Sequence, residues 1–299
     1  TATTLSRIGR AQMLQNQNEK AMTYLEQARA LQQELKNQLG EAAVLNNLAN
    51  AYFNLRQFPK AVEIFEQTLA LYRAVKDRRW EGLILHSLGN TYATLNQIDK
   101  ALVYYDQSLT ILREVNDQSA QGQALVNQGR MYINSGQSEK AAAATEAAIQ
   151  VFREAKDQSG EAQALNNLAI IHSRIGQSEK AIESLDRALA IFRELKSRQQ
   201  EGNILNTLGT VYGGMGQTEK AIAYFEQGLA ISRELKDKLR EANALTNIGL
   251  AYKFLSQYEK ALEYLEPALS LNRETKSRQV EGSNFSFLGS VYAELSQFE

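Results

Sequence analysis

The chain contains no cysteine, only two prolines and no apolar run near the ~20 residues that a membrane-spanning helix needs. Without cysteine there is no disulfide, thiolate metal site or cysteine nucleophile, and a reducing, cytoplasmic compartment is favoured. Lys and Arg total 33 against 34 Asp and Glu, so no basic excess is available to bind nucleic acid or an anionic membrane. Two prolines and 18 glycines leave no linker-like stretch in the 299 residues, which favours one continuous architecture.

The chain repeats itself with a period of 40 residues. The stretch EAAVLNNLAN at 41–50 returns as EAQALNNLAI at 161–170, and a Lys-Ala pair recurs in one place, its lysines being Lys20, Lys60, Lys100, Lys140, Lys180, Lys220 and Lys260. A fixed period of this length is typical of a solenoid, in which each unit buries its faces against its neighbours. The sequence predicts a single solenoid over 1–299, with repeats at 1–40, 41–80, 81–120, 121–160, 161–200, 201–240 and 241–280 and a half repeat at 281–299.

Each repeat carries the pattern of two helices. In the repeat at 81–120, Leu85, Leu88 and Tyr92 follow helical spacing, and Asn96 stands where a left-handed residue would end this helix A. A second apolar stripe predicts helix B, and the lysines equivalent to Lys76 are expected in its last turn, where cations complement the helix dipole. The predicted fold is therefore all-α, built from repeated antiparallel helix pairs.

One set of residues in this repeat resembles the tetratricopeptide repeat signature: Leu88, Gly89, Tyr92, Ala101, Tyr105 and Ser108. The 40-residue spacing is longer than the usual 34 of that family. It is similar to the spacing in kinesin light chains, Pins-type adaptors, peptide-sensing Rap regulators and other bacterial multi-repeat signalling proteins. The resemblance implies a right-handed superhelical solenoid, in which helix A lines a concave groove that binds a peptide or partner protein. It implies neither an enzyme nor a cofactor.

By this resemblance, the free stripe of helix A would line the groove. Asn46, Asn50 and Asn54 are spaced i, i+4, i+8, so their amides are expected to align. Because an amide offers both donors and an acceptor, this asparagine ladder would clamp a peptide backbone. The alternative is that these asparagines are simply solvated. The predicted ligand-binding residues are Asn46, Asn50, Asn54, His86, Asn90, Val126, Arg130, Asn134, Asn166, Ile170, Arg174, Asn206, Lys253 and Phe254.

Neighbouring positions are expected to play other parts. Arg130, Arg174 and Lys253 would select acidic groups of the ligand, whereas Val126, Ile170 and similar residues would select apolar ones. A second set of asparagines lies one residue further round the helix and is expected to bond neighbouring turns or the next repeat; it comprises Asn47, Asn127, Asn167 and Asn247.

The repeat at 121–160 is irregular. Gln128 stands where the other repeats have leucine or isoleucine, and an unpaired buried amide would cost ~1–3 kcal/mol. Ala144 and Thr145 replace bulky pairs such as Tyr104 and Tyr105. Either the variation is harmless, or the array has a hinge near its centre.

The chain offers few residues with a pattern typical of catalysis or metal binding. His86 and His172 are the only histidines, and they have no cysteine partners, so no metal site is expected. The glycine-rich stretch at 213–220 follows a helix and lacks the Gly-Lys-Ser/Thr ending of a phosphate-binding loop. No carboxylate stands out as desolvated, and no catalytic residue is predicted.

Three functions follow, in order of preference. The first is a protein–protein interaction module that binds a peptide or partner segment. The second is a regulatory or sensor segment of a larger signalling protein or enzyme, because the chain opens on Thr1 and stops within a repeat, as a fragment would. The third is a scaffold that self-associates through the solenoid ends, with Phe285, Phe287 and Phe298 on the last helix.

Overall fold

The computed structural model describes residues 1–275 and 278–296, with Arg278 and Gln279 described by their backbone alone. Within these residues all regular structure is helical. The A helices are α1 (Ala2–Leu14), α3 (Gln38–Asn54), α5 (Arg78–Thr94), α7 (Gln118–Asn134), α9 (Gln158–Arg174), α11 (Arg198–Gly214), α13 (Lys238–Phe254) and α15 (Arg278–Leu295). The B helices are α2 (Asn18–Glu34), α4 (Phe58–Ala74), α6 (Ile98–Glu114), α8 (Ser138–Glu154), α10 (Ser178–Glu194), α12 (Thr218–Glu234) and α14 (Tyr258–Glu274).

The helices pair in chain order and confirm the all-α repeat fold. The chain forms two compact units, unit 1 at Thr1–Gly160 and unit 2 at Glu161–Glu299. In unit 1, each A helix packs on the following B helix, and A helices of successive pairs also meet, as in α1 with α3 and α5 with α7. In unit 2, α13 meets α15 in the same way. The A helices therefore lie side by side within these parts of the chain. A single domain over 1–299 stays a prediction, and Phe298 lies outside the described residues.

A glycine on helix A sets the distance between the two helices of a pair. A Cβ added to Gly89 would lie 2.6 Å from a ring carbon of Tyr105, and one added to Gly209 would lie 2.5 Å from the ring of Phe225. Because the glycine has no side chain, the aromatic ring of helix B reaches the backbone of helix A. This contact is the physical reason for the Leu-Gly and aromatic residues of the repeat signature.

Both helices of a repeat end on a left-handed residue. The predicted stops after helix A are confirmed, with φ of 57° at Asn96 and 75° at Gly216. The lysines assigned to the last turn of helix B are placed differently, because Lys76 follows α4 with φ of 57°. The same correction applies to Lys36, Lys156, Lys196 and Lys236. The Cβ of a lysine is sterically disfavoured at positive φ, so the backbone is strained at these positions.

This strain predicts opposite effects for two substitutions. Gly216→Ala should lower the free energy of unfolding by about 1 kcal/mol, because nothing lies within 4 Å of an added Cβ and the backbone alone opposes the change. Lys76→Gly should raise it by about 0.5–1 kcal/mol, because glycine removes the left-handed penalty at a modest entropic cost. Urea unfolding followed by circular dichroism measures both values. The explanation fails if the two substitutions shift stability in the same direction.

Buried carboxylates join successive pairs. Glu81 is 5% exposed and Glu201 is 6% exposed, which corrects the expectation that no carboxylate is desolvated. Glu81 accepts from Arg73 at 2.8 Å and from Arg78 at 2.6 Å, and Arg78 also binds Glu114 at 2.5 Å. Unit 2 repeats this arrangement with Arg193, Arg198, Glu201 and Glu234. Each cluster fixes the start of an A helix against the ends of the two flanking B helices.

The irregular repeat satisfies its polar groups. Gln128 is buried, and its Nε2 donates to Asp106 Oδ1 at 2.5 Å, so the amide is paired. Thr145 Oγ1 donates to the carbonyl of Ala141 at 2.9 Å. The repeat ends at Gly160, which is also the last residue of unit 1. A hinge in this repeat stays a prediction.

Candidate binding site

The predicted ligand-binding residues all lie on A helices. Residues are numbered here by their position within each 40-residue repeat, so that Asn46, His86 and Asn206 occupy position 6. The A-helix stripe is defined as positions 6, 10 and 14 of each repeat, together with Lys253 at position 13. Every predicted residue is half-buried or exposed, and none is buried. Such residues keep polar atoms within reach of a partner.

The asparagines at position 7 bond the preceding repeat. Asn47 Nδ2 donates to Ser6 at 3.4 Å, and Asn247 Nδ2 donates to Asn206 Oδ1 at 3.2 Å. Asn127 Nδ2 does the same with His86 Nε2 at 2.9 Å. In each case the bond links position 7 of one helix A to position 6 of the helix A before it. The expected structural role is confirmed for these three residues, but their bonds reach the preceding repeat and not the next one.

Asn127 is the centre of a polar network in unit 1. Its Nδ2 donates to both His86 Nε2 and Asn90 Oδ1, each at 2.9 Å. Its Oδ1 accepts from Arg130 Nη2 at 3.0 Å. Asn127 is buried, and these bonds use both amide hydrogens and the oxygen. It therefore orients three predicted site residues that belong to two successive repeats.

Tyr105 on α6 fixes the orientation of Asn90 on α5 through a hydrogen bond. The hydroxyl of this fully buried tyrosine donates to Asn90 Oδ1 at 2.7 Å, and burial raises the pKa of Tyr105 to about 12. Asn90 Oδ1 thus accepts two bonds, from Tyr105 and Asn127. Its Nδ2 has no partner among the described residues, and Asn90 is half-buried. The amide is held with its two hydrogens available to a ligand.

His86 is neutral in this network. Because Asn127 Nδ2 can only donate, His86 Nε2 accepts and the imidazole proton is on Nδ1. Burial lowers the pKa of His86 to about 4, and the nearby charge of Arg130 acts in the same direction. The ring also lies against Tyr105, with 5.7 Å between ring centroids. His86 therefore presents one N–H donor at neutral pH and no charge.

The network consequently offers donors and no acceptor. The uncommitted groups are Asn90 Nδ2, His86 Nδ1 and the remaining N–H groups of Arg130. The acceptor atoms Asn90 Oδ1, Asn127 Oδ1 and His86 Nε2 are used within the protein. A surface of this kind matches hydrogen-bond acceptors such as peptide carbonyls or a carboxylate.

The other predicted residues form smaller groups. Asn50 Nδ2 donates to the carbonyl of Asn46 at 2.7 Å and to its Oδ1 at 3.3 Å, so the predicted i, i+4 alignment brings these two amides together. Asn54 instead bonds Asn18 at 3.3 Å. In unit 2, Lys253 donates to Ser290 at 2.8 Å, and Phe254 is 74% exposed. Among the described residues, no hydrogen bond joins Asn134, Ile170 or Arg174 to another predicted site residue.

Unit 2 contains two equivalent cavities beside the stripe. The first, of about 210 Å³, is lined by Gln163, Asn166, Asn167, Phe192, Gln200, Asn203 and Ile204. The second, of about 240 Å³ and one repeat later, is lined by Gln199, Gly202, Asn203, Asn206, Gly228, Ile231, Ser232, Leu235, Leu239, Arg240, Asn243 and Ala244. The buried Oδ1 of Asn166 lacks a partner in the described residues. Each cavity therefore has a predicted site asparagine on its wall.

Some residues that the prediction missed carry a partial signal in the sequence. Position 3, occupied by Gln163, Asn203 and Asn243, is polar in all three repeats, but these residues are not among the predicted ligand-binding residues. Ser232 departs from bulky residues at the same position in earlier repeats, and this departure was the available signal. Tyr105 was assigned only to the helix B core.

Two other kinds of site were sought in the described part of the chain. No group of three or more His, Cys, Asp or Glu side chains there could hold a metal ion. Nor is any helix in residues 1–275 and 278–296 long and apolar enough to cross a membrane.

The family model of the tetratricopeptide repeat matches residues 40–114, 121–194 and 200–274. These segments make up most of the chain, which therefore belongs to the tetratricopeptide repeat family. The fold is generally a protein–protein interaction module, and its members are generally non-catalytic scaffolds. No curated protein sequence matches the chain significantly.

Three solved structures illustrate the similarity. BtubC (BKLC) from P. vanneervenii is 21% identical with a TM-score of 0.63, over 74% of this chain and 90% of that one. A signal transduction ATPase with a tetratricopeptide repeat sensor, from Pyrococcus horikoshii, is 16% identical with a TM-score of 0.73, over 97% of this chain but 44% of that one. A Rap protein complexed with Competence and Sporulation Factor is 17% identical with a TM-score of 0.61, over 93% and 81%. At these identities the likeness shows the fold alone.

Proposed function

We propose that the chain binds a peptide or partner-protein segment along the A-helix stripe. The observation that carries this proposal is the donor network of unit 1, in which Asn127 and Tyr105 orient the amide of Asn90. These bonds link α5 to α6 and α7, but they leave the two N–H groups of Asn90 without a partner among the described residues. This arrangement suits the recognition of carbonyl or carboxylate oxygens on an extended segment.

The composition and the other stripe residues agree with this role. Arg130, bonded to Asn127, adds a positive charge to the network, which favours acidic groups on the partner. The side-by-side A helices α5 and α7 present their stripe residues on neighbouring helices, as an extended ligand requires. The absence of cysteine supports a reducing, cytoplasmic location. The Rap structure with a bound factor makes ligand binding plausible for this fold.

Selection from a random peptide library, followed by affinity measurement on the selected peptides, tests the proposal. Asn90→Asp keeps an oxygen for Tyr105 and Asn127 but replaces the free donor by a negatively charged acceptor. We expect it to weaken peptide binding by about tenfold or more. A peptide oxygen that faces the new carboxylate loses its hydrogen bond and is repelled by the negative charge. Asn116→Asp is the matched control, because it makes the same change at an exposed position that follows helix B and lies outside the A-helix stripe. Equal affinities for the two variants would contradict the proposal.

A second candidate is the sensor part of a longer signalling protein. Its support is the Pyrococcus horikoshii structure, whose tetratricopeptide repeats serve as a sensor and whose similarity extends over 97% of this chain. An immunoblot of native cells tests it: a band far above 33.5 kDa is expected, and a band at that mass would count against it. Self-association through the array ends stays a prediction that light scattering would test.

A further inference from the structure

The sixth repeat lacks a large apolar side chain that the four repeats before it have. At position 32, at the end of helix B, the second to fifth repeats have Tyr72, Leu112, Phe152 and Phe192. All four side chains are buried, with exposures between 0% and 4%. The sixth repeat has Ser232 instead, and its hydroxyl donates to the carbonyl of Leu229 at 2.9 Å. Nothing at position 232 fills the space of the missing ring.

A glycine borders this space, as one borders the ring in the fourth repeat. In the fourth repeat, a Cβ on Gly122 would lie 2.6 Å from the ring of Phe152, so the glycine makes room for the phenyl group. Gly202 is the equivalent of Gly122, but the nearest atom to a Cβ built there is Ile231 Cγ2 at 3.2 Å. The sixth repeat thus keeps the glycine while it lacks the aromatic side chain.

The space is part of the 240 Å³ cavity of unit 2. Gly202, Gly228 and Ser232 line it, and Leu235 and Leu239 also face it although they are 41% and 45% exposed. A 150 Å³ apolar cavity is known to hold benzene, so this volume accommodates a phenyl or phenol ring. In the preceding repeat, the equivalent cavity has Phe192 in its wall.

Arg240 supplies a positive group at the same cavity. Its Nε donates to Asn203 Oδ1 at 3.1 Å, and its Nη1 pairs with Asp237. These bonds hold the guanidinium in place at the wall of the cavity. A guanidinium attracts the negative face of an aromatic ring, and this chain already contains one such contact, with Arg273 over Phe285 at 5.0 Å.

We propose that this cavity binds one aromatic side chain of the partner polypeptide, which takes the place that Phe152 and Phe192 fill in their own repeats. The proposal rests on the proposed function, since the aromatic residue belongs to a segment bound along the A-helix stripe. Asn206 lies on the wall of the cavity and is a stripe residue, so one segment can contact both. The glycines and Ser232 provide the depth, and Arg240 favours an aromatic over an aliphatic side chain.

Binding of N-acetyl-phenylalanine amide and N-acetyl-leucine amide, followed by protein NMR shifts, tests the inference without a partner. The phenylalanine probe should bind the wild type at millimolar concentration and shift residues around Ser232. Ser232→Phe, which copies the fourth and fifth repeats, should weaken that binding by about tenfold or more, because its own ring takes the part of the cavity beside Gly202 and Gly228. Ser232→Ala is the matched control and should retain binding. Arg240→Gln, which copies Gln200, should weaken the phenylalanine probe about three-fold and leave the leucine probe unchanged.

The outcomes separate this inference from the proposed function. If Ser232→Phe is unfolded by circular dichroism, Ser232→Leu, which copies Leu112, replaces it. Failure of the wild type to bind the probe, or equal binding by the cavity-filling variant, overturns the aromatic site. Because the probe needs no contact with Asn90, the site can fail while Asn90→Asp still weakens selected peptides. If Asn90→Asp leaves the affinity of the selected peptides unchanged but the phenylalanine probe binds, the proposed function is wrong and the aromatic site is still supported.

Discussion

Replacing Tyr105 with alanine should lower the free energy of unfolding of unit 1 by about 3–5 kcal/mol, the range for removing a buried aromatic ring. The ring is fully buried and lies against Gly89. The same change leaves Asn90 Oδ1 with one bond fewer. Fluorescence of Trp80, the only tryptophan, reports unfolding because its ring stacks on Tyr72 with 5.5 Å between centroids.

Tyr105→Phe separates packing from the hydrogen bond. It keeps the ring and removes only the hydroxyl, so a loss of about 1 kcal/mol is expected. Because Asn90 is then less firmly oriented, selected peptides should also bind the phenylalanine variant more weakly, although its core is intact. If the two variants are equally stable, the ring contributes little to the pairing of α5 and α6, and the explanation of the Leu-Gly signature is wrong.

Acidification should destabilise the wild type more than a His86→Asn variant, by up to about 2–3 kcal/mol between pH 7 and pH 4. The folded pKa of His86 is lowered to about 4 from an ordinary value of 6.5. Between these values the unfolded chain binds a proton that the folded chain does not. The contribution of neutral His86 is therefore complete above pH 6.5 and is lost progressively as the pH falls toward 4.

The structure provides the control for this experiment. Position 6 is asparagine in the second, fifth and sixth repeats, and Asn206 Oδ1 accepts from Asn247 as His86 accepts from Asn127. His86→Asn thus keeps an acceptor while it removes the titration. Carboxylates titrate in both proteins, so the difference between the two urea-unfolding profiles isolates His86. Parallel profiles would show that the imidazole is not held neutral by burial and by Arg130.

Much of the fold could be predicted because the period is regular. Asn96 and Gly216 indicate where helix A ends, since few residues tolerate positive φ. Lys76 also has positive φ, but lysine has no preference for that conformation, so its place could not be predicted from residue type. The burial of Glu81 was missed for a related reason. Its partners Arg73 and Arg78 come from different helices, and only the packed structure brings them together.

The candidate site was predictable in its location and less so in its chemistry. The i, i+4 spacing of Asn46 and Asn50 on one helix A predicted a polar stripe, and both residues are half-buried there. Which amide atoms remain available to a ligand depends on hydrogen bonds between successive repeats. Asn127 and Asn90, for example, are 37 residues apart in the sequence. No pattern within one repeat contains that information. The cavity at Ser232 was hard to predict for a similar reason. Ser232 departs from the repeat pattern, but the effect of this departure depends on Gly202 and Gly228, which line the same cavity.

The network around Asn90 bears on which backbones the stripe would accept. A β-strand edge recognises a partner by bonding both its carbonyls and its amide hydrogens, and proline interrupts such a ladder because it has no N–H. The groups available on Asn90, His86 and Arg130 are all donors, so a segment bound there as proposed is held by its carbonyl oxygens. Proline keeps that oxygen. Partners rich in proline, already extended before they bind, would lose no bond to this part of the stripe and would give up less conformational freedom on binding.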